Sequence, residues 1–150
     1  MDTVTYPFDT VVNFIMKYLI PLRIDINDES FHEALHTFWT PTLVIISSDG
    51  HEVQREIGFC QPTEFIASLH LGLAKARMNT GEFDIAEEHF SRLIGQLLEG
   101  DSVPEAIFFR GVNGYKMKND PSELKKAYEH LSTDFPNTVW AKRASPYRLL

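Results

Sequence analysis

The 150-residue sequence predicts an α/β segment followed by an all-helical one, on three observations. Strand and helix signals alternate through the first half, helical periodicity alone fills the second, and charge divides between them. Residues 1–69 carry 3 basic and 10 acidic side chains and residues 70–150 carry 11 of each, so the net charge of −7 belongs to the first half. The length suits one compact domain, or a small domain with an appendage.

In the first half, Asp9 is placed to cap a helix in which Val12, Ile15 and Leu19 recur on one face, and Pro21 forbids its continuation. Strict alternation follows: Ile20, Leu22, Ile24 and Ile26 face one way and Pro21, Arg23 and Asp25 the other, the pattern of a half-buried strand. Asn27 or Asp28 then caps a short helix that sets Phe31, Ala34, Leu35 and Phe38 on one stripe and stops at Thr40-Pro41. The run Thr42 to Ser47 is apolar and β-branched, as in a strand buried on both faces. Ser48-Asp49-Gly50 reads as a hairpin turn, and the charged alternation of Glu52 to Ile57 as an edge strand. The fold class expected here is a sheet of three main strands. The second half reads as helices from Pro62 to Gly81, from Gly81 to Gly100, across Phe108 to Tyr115, from Ser122 to Phe135, and from Val139 onward. Gly111 and Gly114 are expected to weaken the third of these. The helix from about residue 62 is expected to join segments 1–69 and 70–150.

The helices carry an internal repeat. Ala86, Phe90 and Leu93 recur at an offset of 38 as Leu124, Tyr128 and Leu131. With Ala74, Gly81 and Phe83, and with Pro136 after the second copy, this resembles the tetratricopeptide repeat. Two helix pairs fall short of the roughly three repeats that stand alone, so the array is expected to pack on another surface, with the first half the nearest one.

Residues 8–69 resemble the latter part of a thioredoxin-superfamily domain. The motif runs from Phe38 to Phe59: Trp39-Thr40-Pro41-Thr42 entering a strand, Asp49-Gly50 as a hairpin, an edge strand, and Gly58 before the last helix. The resemblance implies a cis Thr40–Pro41 bond and a wall at Trp39, Thr40 and Pro41 that presents backbone to an extended peptide. It also implies a central strand ending in C-x-x-C, which would lie just upstream of Met1. The one cysteine, Cys60, lies elsewhere in the pattern and has no second thiol to resolve a mixed disulfide. No catalytic residue carries over. Without the central strand, the stretches Ile20–Ile26 and Thr42–Ser47 lack a shared neighbour, and each buried unpaired backbone group costs about 1–3 kcal/mol. They are expected to pair directly, to receive Thr3-Val4-Thr5-Tyr6, or to take a partner chain, a homodimer through the unfilled sheet included.

His32-Glu33-Ala34-Leu35-His36 matches H-E-x-x-H, in which helical spacing turns two imidazoles toward one zinc ion and Glu serves as base. The helix is short, the histidines flank the apolar stripe, and a surface pair is the favoured reading. His51, His70, His89 and His130 show no ligand spacing, and Cys60 reads as a small buried hydrophobe. Lys116, Lys118, Lys125, Lys126, Lys142 and Arg143 are interleaved with acids and read as a solvated face. The acidic balance speaks against nucleic acid, no apolar run is long enough to span a bilayer, and no export signal precedes residue 10. The expectation is a cytoplasmic, non-catalytic protein without cofactor or metal that binds a protein or peptide. Its alternatives are the C-terminal part of a thiol–disulfide oxidoreductase and, more distantly, a metal-dependent hydrolase through His32, Glu33 and His36.

Overall fold

The computed structural model describes residues 1–96 and 100–150. The chain divides into two compact units, Met1–Ile66 and Ala67–Leu150, and the division falls within the helix Pro62–Asn79. Among the described residues the protein is mixed α/β and mostly helical, with one small antiparallel sheet.

In the first unit, residues 1–7 form a turn rather than a strand: the amides of Val4, Thr5 and Tyr6 all donate to the Met1 carbonyl. The Thr5 hydroxyl is fully buried and donates to the Cys60 carbonyl at 2.6 Å, while Tyr6 meets Phe65 edge-on at 5.6 Å. Helix α1 (Asp9–Tyr18) follows. Asp9 is its first residue and not its cap; its carboxylate faces the positive end of the helix dipole while Phe8 takes the capping position. Val11 is the buried residue of this helix.

The expected strand at Ile20–Ile26 does not form. Residues 19–25 have no regular structure, and Ile20 and Leu22 are 98% and 75% exposed. The reason is non-local: a strand exists only against a neighbour, and none of the described residues supplies one. Nor does β1 (Thr42–Ile46) fill that role, because it pairs with β2 (Glu52–Ile57) alone. The three-strand sheet is therefore a two-strand hairpin among the described residues. With one neighbour, β1 is not buried on both faces; Ile45 is buried and Ile46 is exposed. The hairpin registers Thr42 against Ile57 and Val44 against Arg55, with an irregularity between Ile45 and Ile46. Its turn is closed by the Gly50 amide donating to the Ser47 carbonyl at 2.9 Å, and Gly50 sits at φ +87°, where a side chain would be strained.

Helix α2 (Glu29–Ala34) is shorter than the sequence pattern promises. It stops in a Schellman motif: His36 takes the left-handed position at φ +49°, its amide donates to the Glu33 carbonyl, and the Thr37 amide donates to the His32 carbonyl. The stripe of Phe31, Ala34, Leu35 and Phe38 consequently finds no core; Phe31 and Phe38 are exposed.

The second unit closes around its own core. Helix α3 (Pro62–Asn79) ends before Gly81, whose φ of +79° lets the chain reverse into α4 (Phe83–Gln96). Helices α5 (Ser102–Lys118), α6 (Ser122–Asp134) and α7 (Val139–Ala144) follow, and a 3-10 turn covers Ser145–Leu149. The expected end of the second helix at Gly100 crosses residues 97–99, outside the described ones. Leu71, Ala74, Phe90, Leu93, Ile107 and Leu131 meet in one cluster, with Phe108, Trp140 and Tyr147 against its edge. Gly111 and Gly114 do not weaken α5 so much as admit α6. A Cβ on Gly111 would collide with that of Ala127 and press the Glu123 carbonyl at 3.2 Å, and one on Gly114 would meet the Glu123 side chain at 2.9 Å. Asn113 beside them is fully buried and donates to the Phe83 carbonyl at 3.0 Å.

Candidate functional site

Trp39 and Thr40 lie five and six residues past the end of α2, and the Thr40–Pro41 peptide bond is cis. The Trp39 carbonyl accepts the Thr42 hydroxyl at 2.6 Å, and the Pro41 carbonyl accepts the Gly58 amide at 2.8 Å, so the loop is fastened to the start of β1 and to the residue just past β2. With its backbone thus held, the loop turns its large side chains outward: Phe38 is 83% exposed and Trp39 63%. Together with Ile26, His32, Thr37 and Thr40 they line a cleft of ≈ 390 Å³. It is an open surface depression rather than an enclosed pocket, with room for a side chain or two of a partner.

The walls of the cleft differ in chemistry. Ile26, Phe38 and Trp39 give apolar and aromatic surface. His32 gives an imidazole whose Nδ1 lies 2.5 Å from the Thr37 hydroxyl and whose buried Nε2 has no hydrogen-bond partner among the described residues. Acidic groups stand around it in the chain: Asp25 before Ile26, then Asp28, Glu29 and Glu33. Asp25 is held below the usual carboxylate range by the amide and side chain of Asn27, which donate to its Oδ1 at 2.8 and 2.7 Å. It is therefore ionised throughout the neutral range. The cations of this unit are occupied elsewhere: Arg23 with Asp2, Arg55 with Glu52 and the Leu35 carbonyl, and Lys17 over the Tyr18 ring.

The remaining sequence-predicted groups are placed as follows. His32 lies within α2 but His36 lies past its end in the Schellman motif, so the pair does not share the helical face that H-E-x-x-H zinc chemistry requires. No group of three or more metal-ligating side chains occurs among the described residues. Cys60 is half-buried, and burial, with Glu56 and Glu64 adding to it, pushes its thiol up, which lowers its thiolate fraction at neutral pH. No helix among the described residues is long and apolar enough to cross a membrane.

One constellation escapes sequence reading altogether. His70 on α3 and His89 on α4 face each other with Nδ1 atoms 3.0 Å apart, and His70 is only 5% exposed. Burial is the main cause that brings His70 down to about 4, with His89 and Arg92 adding repulsion; burial likewise lowers His89, with Arg92 and Arg77 adding to it. Both imidazoles are neutral at pH 7. The residues are 19 apart; His70 stands between Leu69 and Leu71, but His89 stands between Glu88 and Phe90, so no spacing in the sequence links the two.

Compared with known proteins, the chain matches no family model, no curated protein and no solved structure.

Proposed function

We propose that the chain is a non-catalytic interaction protein, a thioredoxin-like segment without its redox pair followed by tetratricopeptide-like helices, which binds a protein or peptide at Trp39, Thr40 and Pro41. The observation that carries this reading is the cleft of ≈ 390 Å³ whose aromatic walls, Phe38 and Trp39, stand open to solvent on a loop whose backbone is tied down. Covering one such side chain gains about 1.5–3 kcal/mol, and rigid exposed aromatics are the usual anchors of an interface. The non-catalytic part rests on Cys60: it is the sole thiol of the sequence, and its environment favours the protonated form.

The test is calorimetric titration of the full chain with a panel of short peptides, alongside insulin reduction. The reading expects saturable binding with Kd of about micromolar order, weakened at least about tenfold in Trp39→Ala, and no reduction above a thiol blank. Absence of binding across the panel, or turnover of insulin, contradicts it.

A further inference from the structure

The stretch Ile20–Asp25 carries the alternation of a β-strand but has no neighbour among the described residues, and Ile26 opens the turn that the Asp28 amide closes on the Asp25 carbonyl at 3.0 Å. Its apolar side chains alternate, and Ile20, Leu22 and Ile26 are exposed. The backbone amides of Ile20, Leu22, Arg23 and Ile24 make no hydrogen bond among the described residues. In an extended chain the N–H and C=O of one residue point to the same edge, and successive residues point to opposite edges. Ile20, Leu22 and Ile24, paired as extended chain, therefore share one edge with every donor present. The other edge holds Pro21, Arg23 and Asp25 and lacks the Pro21 donor. The two edges are not equivalent, and only the first can sustain an uninterrupted ladder. Charge indicates what would lie there. The first unit is strongly acidic, its cations are engaged as described, and no Lys or Arg occurs between Ile24 and Gln54, a span that holds Asp25, Asp28, Glu29, Glu33, Asp49 and Glu52. A second copy of this acidic surface would be repelled, whereas a basic chain would be drawn in. Ile26, in the turn directly after the stretch, lines the cleft, so a chain paired along the stretch runs toward Phe38 and Trp39.

We propose that Ile20–Asp25 is a docking strand: it takes a basic, extended segment of a partner protein by backbone pairing along the edge of Ile20, Leu22 and Ile24, and thereby completes a sheet that the free chain leaves open. This rests on the peptide-binding reading above and adds to it the partner's charge, conformation and edge.

The test is the titration of the full chain with a short peptide of alternating valine and lysine, the same peptide with glutamate for lysine, and the lysine peptide with N-methyl groups on alternate amides. The lysine peptide binds at least about tenfold tighter than the glutamate one at low salt, with the gap narrowing as salt rises. N-methylation on one alternate set abolishes binding and on the other leaves it. In the chain, Leu22→Pro removes a donor from the intact edge, and Leu22→Ala removes the same side chain without touching the backbone. Leu22→Pro should bind at least about tenfold more weakly than Leu22→Ala, whereas Arg23→Pro, on the edge already interrupted, should stay within about threefold of the parent. If Leu22→Pro equals Leu22→Ala and N-methylation has no effect while Trp39→Ala still weakens binding, the docking strand is wrong and the peptide-binding reading stands. If the parent chain binds none of these peptides but binds others of the panel, the strand proposal alone fails; if it binds none at all, both fail.

Discussion

The two units of this chain solve the same problem with opposite success. In residues 67–150, Leu71, Phe90, Leu93 and Leu131 are fully buried, and small residues such as Ala74, Ala86, Ala106 and Gly111 let the helices close on them. In residues 1–66, the buried apolar side chains are Val11, Ile45 and Phe65, while Ile20, Leu22, Ile26, Phe38 and Trp39 are exposed. The difference does not lie in the supply of apolar residues, which is ample in both. It lies in where their partners come from. A helix satisfies its own backbone and needs only a neighbour for its stripe; a strand needs a neighbour for its backbone as well. Residues near in sequence supply the former here, as Phe83 to Leu93 does for α3, and nothing described supplies the latter for Ile20–Ile26.

Core truncation should split the units most widely. Phe90→Ala is expected to cost about 3–5 kcal/mol, read by urea unfolding with Trp140 fluorescence, against a change within about 0.5 kcal/mol for Phe38→Ala. Equal costs would erase the distinction between a packed unit and an open one.

Acid should act next, and on the helical unit. His70 and His89 bind protons more weakly folded than unfolded, so their contribution to stability is full above the ordinary value of 6.5 and is lost as pH falls toward about 4. The expected loss across that window is on the order of 2 kcal/mol. It should vanish from the pH profile of a His70→Leu, His89→Leu double variant. A profile unchanged by the substitutions would show that the pair is not what acid attacks.

Gly111→Ala comes third. Separating α5 from α6 costs about 1–3 kcal/mol, offset by up to about 1 kcal/mol of helix propensity, so thermal unfolding should show a net loss. A gain would mean that α5 and α6 do not approach as closely as Gly111 and Ala127 do here. Smallest of all is Leu22→Asp, within about 0.5 kcal/mol by the same measurement, because Leu22 is mostly exposed in the free chain.

Local chemistry was legible in the sequence and non-local pairing was not. The hairpin could be read because Asp49-Gly50 fixes its own turn and the strands on either side are adjacent. The helices of the second unit could be read because Pro62, Gly81 and Pro121 punctuate a clear period. Ile20–Ile26 was misread because alternation records that a chain could pair, not that a partner exists. The H-E-x-x-H spacing was read as a surface pair rather than a metal site, but the separation of His32 from His36 by the end of α2 could not be read, because it depends on a left-handed backbone at His36, a residue type that gives no strong stop signal. Gly111 and Gly114 looked like weaknesses until the facing Ala127 and Glu123 gave them a reason, and His70 with His89 is visible only once α3 and α4 are laid side by side. Of the site, Trp39, Thr40 and Pro41 were named from sequence, whereas Phe38 had been placed in the core and the cleft it shares with Ile26 and His32 had no sequence signature.

Amide hydrogen exchange along the free chain, repeated with the lysine peptide present, tests the central contrast most directly. The account predicts that Leu71, Phe90 and Leu131 exchange only through global unfolding, that Ile20, Leu22 and Ile24 exchange near the rate of an unstructured chain, and that Leu22 and Ile24 gain protection when peptide is added. Strong protection of Leu22 and Ile24 in the free chain, or none after saturation with a bound peptide, would contradict it.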